Sequence, residues 1–477
     1  MKKKLSILLF CVLGALIVLL GVITYINFQS GDKYKKQVLS QAQQKYQNRT
    51  MPAKRGTIYD RNGNILATSN KVYNVVLDCK AVNSDEDYLD PTVNALVTIF
   101  GLDEGELRTR LTSDKTRESQ YQIVKKQVSM DDKKAFEDYC SIPDDTEMTR
   151  EEIQEKNNIQ GVWFEEDYRR VYPLNSTASH LVGFTYTGNS ADWGIEGYYS
   201  STLNGVNGRQ FGYYNSDADV EQNIIDPING NSVESTIDLN IQQVVEKYIS
   251  NFMDGMANGP RGAEGAANVG VIVANPKNGE ILAMATDNPY DLNNPRDLTS
   301  HYSQDEINGM DNDTMLEKLY GIWKNYCISD AFEPGSTVKP LTIGAALDAD
   351  VVQPSDTFVC DGYQMFGGTR IRCSIYPGAH GTETLSDLIK HSCNDGLMQI
   401  GALLGPEEFL KYQKIFNFGA TTGIDLPGEA TGILHTEESL SSGSTELASA
   451  SFGQGYTCTM IQEIAAICSV INGGYYY

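Results

Sequence analysis

Positive charge is scarce in this chain. Its 38 lysines and arginines face 62 aspartates and glutamates, giving a formal net charge of −24. A phosphate-binding surface needs a positive field, so this balance argues against nucleic acid as a partner and against broad adhesion to anionic lipid. Histidine is rarer still. The five, at 180, 301, 380, 391 and 435, show no metal-ligand spacing with cysteine, so neither a zinc site nor any other metal site is expected. No repeat and no low-complexity tract is visible, and beyond the first 26 residues no run is long and apolar enough to span a bilayer. Hydrophobic residues at 41% are compatible with folded cores, and 477 residues are too many for one ordinary domain.

The N-terminus reads Met-Lys-Lys-Lys, then runs uncharged from Leu5 to Ile26. About 20 apolar residues cross a bilayer as a helix, and the lysines belong on the cytoplasmic side. A cleaved signal peptide is the competing reading, but its apolar region is usually shorter and no small-x-small site follows Ile26. The expectation is an uncleaved anchor, residues 5–26 in the lipid bilayer, with the bulk of the chain extracytoplasmic. Nine cysteines are an odd number for an exported chain. Cys360 and Cys373 bracket a strand, a Gly-Gly turn and a returning strand, and are either a cross-hairpin disulfide or two half-buried thiols.

Tyr34 to Asn48 reads as a helix leading away from the bilayer. Asn62-Gly63 signals a hairpin, and Val72 to Leu77 suits another strand. Ser84 to Asn158 is polar, with helical spacing at Val93, Leu96 and Phe100. A new domain opens at Ser235-Thr-Ile-Asp238, Asp238 capping a helix from Leu239 to Met253. A hairpin follows around Asn275 to Gly279. Gly405-Pro-Glu-Glu408 opens a later helix that Gly419 closes.

The most informative stretch is Glu333-Pro-Gly-Ser-Thr-Val-Lys-Pro340. It sets Ser336 three residues before Lys339 at the mouth of an apolar helical run. A hydroxyl is a poor nucleophile until a base takes its proton. Residues i and i+3 share a helix face, so Lys339 can reach the oxygen of Ser336, and a desolvated lysine can act as that base. Ser30-Gly-Asp-Lys33 has the same spacing without such a setting. What distinguishes Ser336 is a second element, Ser392-Cys-Asn394, since the two in this order form a known catalytic pattern.

Several motifs, in order and over nearly the whole length, resemble those of class B penicillin-binding proteins. Arg55-Gly…Asp60-Arg-Asn-Gly63, Arg170-Val-Tyr-Pro173, His180…Gly183 and Gly194-Ile-Glu-Gly197 resemble motifs of the non-catalytic pedestal domain. Thr236-Ile-Asp238 resembles the start of the transpeptidase domain, and Glu333 to Lys339 and Ser392-Cys-Asn394 its first two catalytic motifs. Thr422-Gly-Ile-Asp-Leu-Pro-Gly-Glu429 and Gly453-Gln-Gly455 resemble further signatures. The resemblance implies an α/β (α+β) fold. An N-terminal transmembrane helix (1–30 with its tail) would lead to an extended pedestal or dimerisation domain (31–234). A serine-penicillin-recognising transpeptidase domain (235–477) would follow, with a central antiparallel sheet flanked by helices, incomplete at its C-terminus.

The implied activity is D,D-transpeptidation of peptidoglycan stem peptides, with no metal or organic cofactor. Ser336 would attack the carbonyl between the terminal D-alanines and become acylated, as it would by β-lactam antibiotics. Lys339 would accept its proton, and Ser392 would relay a proton to the leaving group. Asn394 would hold the peptide amide and the lysine. The Ser336 backbone N–H would form half an oxyanion hole. A glycosyltransferase and other wall-synthesis membrane proteins are implied as partners.

The family's third catalytic motif, Lys-Thr-Gly or a close relative, is missing after Gly453-Gln-Gly455 and a helix running to about Asn472. The expectation is therefore a chain cut short of that strand, impaired as a transpeptidase and left with unpaired sheet edges. The alternative, from a different class, is a non-catalytic membrane-anchored scaffold of a wall-synthesis complex. A transmembrane β-lactam sensor and a secreted β-lactamase fit less well, given the short cytoplasmic tail and the large domain before Ser336.

Overall fold

The computed structural model describes residues 49–143, 148–186, 189–214, 220–257, 266–442 and 444–477, with positions 14, 16, 18–22 and 24. The anchor expected over Leu5 to Ile26 lies mostly outside the described residues, and the helix expected over Tyr34 to Asn48 lies wholly outside them. Among the described residues no helix is long and apolar enough to cross a membrane. The chain divides into two compact units that are not contiguous in sequence. One holds residues up to Lys54 with Lys71–Tyr168 and Gly205–Asn229, and the other Arg55–Asn70, Arg169–Asn204 and Gly230–Tyr477.

In the first unit the later part of strand Ile65–Leu77 pairs antiparallel with Gln122–Val128, Leu77 opposite Gln122. The segment Val72 to Leu77 is thus a continuation of the strand begun at Ile65 rather than a separate one. Helix Leu89–Phe100 turns Val93, Leu96 and Phe100 inward at i, i+3 and i+7 and stops at Gly101, whose φ is 61°. Phe100 stacks on Phe136 at 5.5 Å between ring centres. Helices Met130–Cys140 and Arg150–Asn157 each begin with a capping box, Ser129 with Asp132 and Thr149 with Glu152.

The second unit opens with the Asn62-Gly63 turn, which joins Ile58–Tyr59 to the start of Ile65–Leu77 as an antiparallel hairpin. Val233–Glu234 adds a parallel strand on the other side. Asp238 accepts from the N–H groups of Asn240 at 3.0 Å and Ile241 at 3.3 Å and so caps helix Leu239–Ala257. Of the central antiparallel sheet that the resemblance implies, the described residues hold the hairpin Gly270–Ala274 with Ile281–Thr286.

A buried charge cluster ties three distant segments of this unit together. Glu196 accepts from Arg55 Nε at 2.7 Å and from Arg170 Nε at 2.6 Å, all three side chains being almost fully excluded from solvent. Tyr172 adds a hydroxyl at 3.2 Å and Asn204 a carbonyl oxygen to Arg55 at 2.6 Å. Around it lies one hydrophobic cluster, including Ile58, Leu66, Ile195, Leu203, Met284 and Trp323. A second cluster, with Ile343, Leu388, Leu397, Ile400, Phe452 and Tyr456, underlies the site.

Candidate active site

Ser336 sits in a single 3-10 turn, Gly335–Val338, that runs directly into helix Lys339–Asp348. Pro340 falls in the helix's first turn, where its missing N–H costs nothing. The approach is fixed by backbone. Gly335 has φ 65°, a conformation glycine adopts without penalty, and its N–H donates to the Gly453 carbonyl at 2.9 Å. Gly455 N–H donates to the Glu333 carboxylate at 2.8 Å. Strands Ala331–Phe332 and Cys458–Thr459 pair antiparallel just beyond. Gly453-Gln-Gly455 thus clamps the loop that presents Ser336.

Ser392 lies in the tight turn between helices Leu385–Lys390 and Asn394–Ile415. Cys393 N–H donates to Leu388 O at 2.9 Å, and Cys393 Sγ accepts from Gly396 N–H at 3.4 Å, which starts the second helix. The geometry drives Ser392 to φ 53°, a left-handed conformation costly for a residue with a side chain. The long helix has a non-helical break at Gly405 (φ 71°), where Pro406 opens a fresh segment that ends at Ile415, so Gly419 lies beyond its end rather than closing it. Asp395 is fully buried and accepts from Asp361 N–H at 3.0 Å and Gln364 Nε2 at 2.6 Å, pinning the turn to the small strands beside it.

All four predicted side chains come together. Lys339 is buried, and its Nζ donates to Ser392 O at 2.7 Å, Ser392 Oγ at 2.9 Å and Asn394 Oδ1 at 2.7 Å. Ser392 Oγ is in turn 3.0 Å from Ser336 Oγ. The link from Lys339 to Ser336 therefore runs through Ser392, where helical spacing alone predicts a direct contact. The 3-10 turn and the downstream loop cause the difference. Burial away from water lowers the Lys339 pKa to about 8, with the neighbouring Cys373 and Cys393 pulling the other way. Ser336 itself is exposed. A cavity of about 420 Å³ elsewhere in this unit, lined by Ile237, Ile281, Ile424 and Ile461 among others, includes none of the four residues.

Linear spacing shows no metal-ligand pattern, but the fold brings four potential ligand residues together. Cys360, Cys373, His380 and Cys393 place one ligand atom each within 4.8 Å of one another. Linear spacing hides this, because the four residues meet only through the pairing of Thr357–Cys360 with Gly381–Thr384 and the hairpin Tyr363–Phe366 with Thr369–Arg372. The one cue was Cys393 at the centre of the Ser-x-Asn motif. Cys360 and Cys373 are free thiols, both buried.

A serine linked by hydrogen bonds to a desolvated amine defines a site of the acyl-serine type. Residues 269–477 match the penicillin binding protein transpeptidase domain, and residues 50–235 the penicillin-binding protein dimerisation domain. Stage V sporulation protein D of Bacillus subtilis (strain 168) is 31% identical over 492 residues, covering 100% of this chain and 66% of that protein. Peptidoglycan D,D-transpeptidase FtsI of Buchnera aphidicola subsp. Baizongia pistaciae is 26% identical, covering 99% and 73%. In fold, penicillin binding protein 2X from Streptococcus thermophilus superposes with a TM-score of 0.66 at 22% identity, covering 90% of this chain and 59% of that one. Penicillin-binding protein PBP2 from Helicobacter pylori, solved in complex with MreC, gives 0.66 at 20% identity, covering 89% and 76%. This chain belongs to the class B penicillin-binding proteins. It spans about two thirds of the length of the curated relatives it matches.

Proposed function

We propose that the chain carries the acylation machinery of a peptidoglycan D,D-transpeptidase. The observation that carries this reading is the hydrogen-bonded series Ser336–Ser392–Lys339–Asn394. Two of the three partners of Lys339 Nζ, the Ser392 carbonyl and the Asn394 amide oxygen, can only accept. A neutral Lys339 has two N–H bonds, and these acceptors take both. Its lone pair then faces Ser392 Oγ, 2.9 Å away.

In that state the series reverses. Ser336 gives its proton to Ser392 Oγ, Ser392 passes its own to Lys339, and the Ser336 oxygen attacks the carbonyl between two terminal D-alanines. The Ser336 N–H stabilises the developing oxyanion. The ammonium then returns a proton through Ser392 to the departing D-alanine, leaving an acyl-serine for the amine of a second stem peptide. Asn394 holds Lys339 and presents an amide to the substrate. β-Lactams enter by the same attack.

Residues 31–234 serve as the pedestal and 235–477 as the catalytic part. Residues 5–26 anchor the chain in the cell membrane with its N-terminus cytoplasmic. The proposed partners are a glycosyltransferase and other wall-synthesis membrane proteins; a relative solved in complex with MreC supports a protein partner, and the glycosyltransferase rests on the resemblance alone. The test is labelling by a fluorescent penicillin. Wild type should acquire one covalent label, and Ser336→Ala none. A folded wild-type chain that does not label favours the scaffold instead.

A further inference from the structure

We infer that the outer face of the hairpin Tyr363–Phe366 with Thr369–Arg372 is a docking surface for the carboxylates of a stem peptide, held by Arg370 and Arg372. Alternation along the two strands puts Tyr363, Met365, Arg370 and Arg372 on this face. The Arg370 guanidinium lies over the Tyr363 ring, 4.6 Å from its centre, and that of Arg372 over Tyr376 at 4.8 Å. The two rings meet edge to face, 6.2 Å apart at 83°. Arg370 Nη1 also donates to the Tyr376 hydroxyl at 3.4 Å. The result is a continuous row, Arg370, Tyr363, Tyr376, Arg372, with a guanidinium at each end. Contact with a ring steadies a guanidinium while leaving N–H groups free for a carboxylate.

Charge sets this row apart from the rest of the chain. Arg55, Arg61, Arg108, Arg117 and Arg170 each meet a carboxylate. Arg370 and Arg372 are exposed, and among the described residues neither does. A chain of net charge −24 has carboxylates in excess. Two neighbouring cations that it leaves without one are open to an acid from outside, and the planar guanidinium suits a carboxylate better than any other side chain does.

The opposite face ties the row to the site. Phe366 and Ile371 pack against the second hydrophobic cluster, and Gln364 Nε2 donates to Asp395 Oδ1 at 2.6 Å. Asp395 directly follows Asn394, whose amide oxygen accepts from Lys339. Transpeptidation brings two peptides to this place, one that acylates Ser336 and one whose amine takes the acyl group. The inner face of the hairpin is the one that meets Asp395, so a ligand on the outer face lies outside the acyl position, where the second peptide arrives. A peptide ending in D-alanine presents at least one free carboxylate to the row. The identity of this ligand rests on the proposed function, whereas the binding of an acidic peptide does not.

The test uses the purified full chain with Ser336 already acylated by penicillin, so that the serine is blocked. A synthetic stem peptide is titrated into it by calorimetry, beside the same peptide with every carboxylate amidated. The free acid should bind. Arg370→Gln and Arg372→Gln should each weaken it about fivefold, the upper scale for an exposed ion pair, and the double variant about twenty-fivefold. The amide should bind wild type as weakly as the acid binds the double variant. Arg296→Gln, an exposed arginine outside the hairpin, should bind as wild type does, and penicillin labelling rates should be unchanged throughout. Should the variants misfold, the wild type still decides the matter, because bound free acid should shield Arg370 and Arg372 from phenylglyoxal. A wild type that does not bind the acid, equal affinity for acid and amide, unshielded arginines, or undiminished binding by a folded double variant overturns the surface. Phosphatidylglycerol vesicles held through the two arginines in place of the peptide overturn it as well. If the wild type never labels, Ser336→Ala takes its place in the titration, and peptide binding lost with the arginines then upholds the surface and sinks the transpeptidase reading instead.

Discussion

Gly453 meets Gly335 backbone to backbone. A β-carbon on residue 453 would stand 2.0 Å from the Gly335 carbonyl oxygen, and Gly453 itself has φ 93°. Gly453→Ala must therefore push the loop that presents Ser336. Misplacing a reacting group by about 1 Å can cost on the order of 10²-fold in rate. Acylation by a fluorescent penicillin should fall at least about tenfold on this ground. Gly344→Ala, in helix Lys339–Asp348 with nothing within 4 Å of the added carbon, should leave the rate unchanged. Equal rates for the two variants would refute the clamp.

In the proposed role Lys339 is a base only when neutral, and its pKa is lowered to about 8. The neutral fraction grows as pH rises, so the acylation rate should climb about tenfold per unit below pH 8 and level off above it. Lys339→Arg, which stays charged throughout, should be inactive across that range. A flat profile between pH 6 and 9 would remove Lys339 from this role.

Ser392 separates stability from activity. Its φ of 53° favours glycine, and its hydroxyl bridges Lys339 and Ser336. Ser392→Gly should melt at or above the wild-type temperature, since left-handed backbone costs other residues roughly 1–2 kcal/mol. Ser392→Ala should melt below it. Both should acylate about 10²-fold slower or worse, the usual scale for losing a proton-transfer group. A thermal shift assay beside a labelling time course reads both effects.

Glu196 is the sole carboxylate bonded to the buried guanidinium groups of Arg55 and Arg170 among the described residues. Glu196→Gln leaves two cations facing each other without compensation. Breaking a buried pair typically costs about 3–5 kcal/mol. The variant should therefore unfold at markedly lower denaturant concentration, and a midpoint unchanged from wild type would contradict this account.

Local features were legible in the sequence. Asp238 caps its helix, Asn62-Gly63 turns a hairpin, and Gly367-Gly368 turns another, because each depends on neighbours a few residues away. The four site residues were nameable from their motifs. Their connectivity was not, since the Lys339 to Ser392 contact spans 53 positions and depends on how two helices meet. The sulfur cluster was hidden for the same reason. Two short strand pairings gather it, and neither leaves a pattern at fixed spacing.

The interleaving of segments in the second compact unit bears on how such proteins can be cut and recombined. Ile58, Leu66, Ile195 and Leu203 share a core with Met284 and Trp323. A fragment begun at residue 235 would leave that core half open, however complete its catalytic motifs. The C-terminal half is thus no portable module. Exchanging it between relatives without opening that core requires moving Arg55–Asn70 and Arg169–Asn204 along with it.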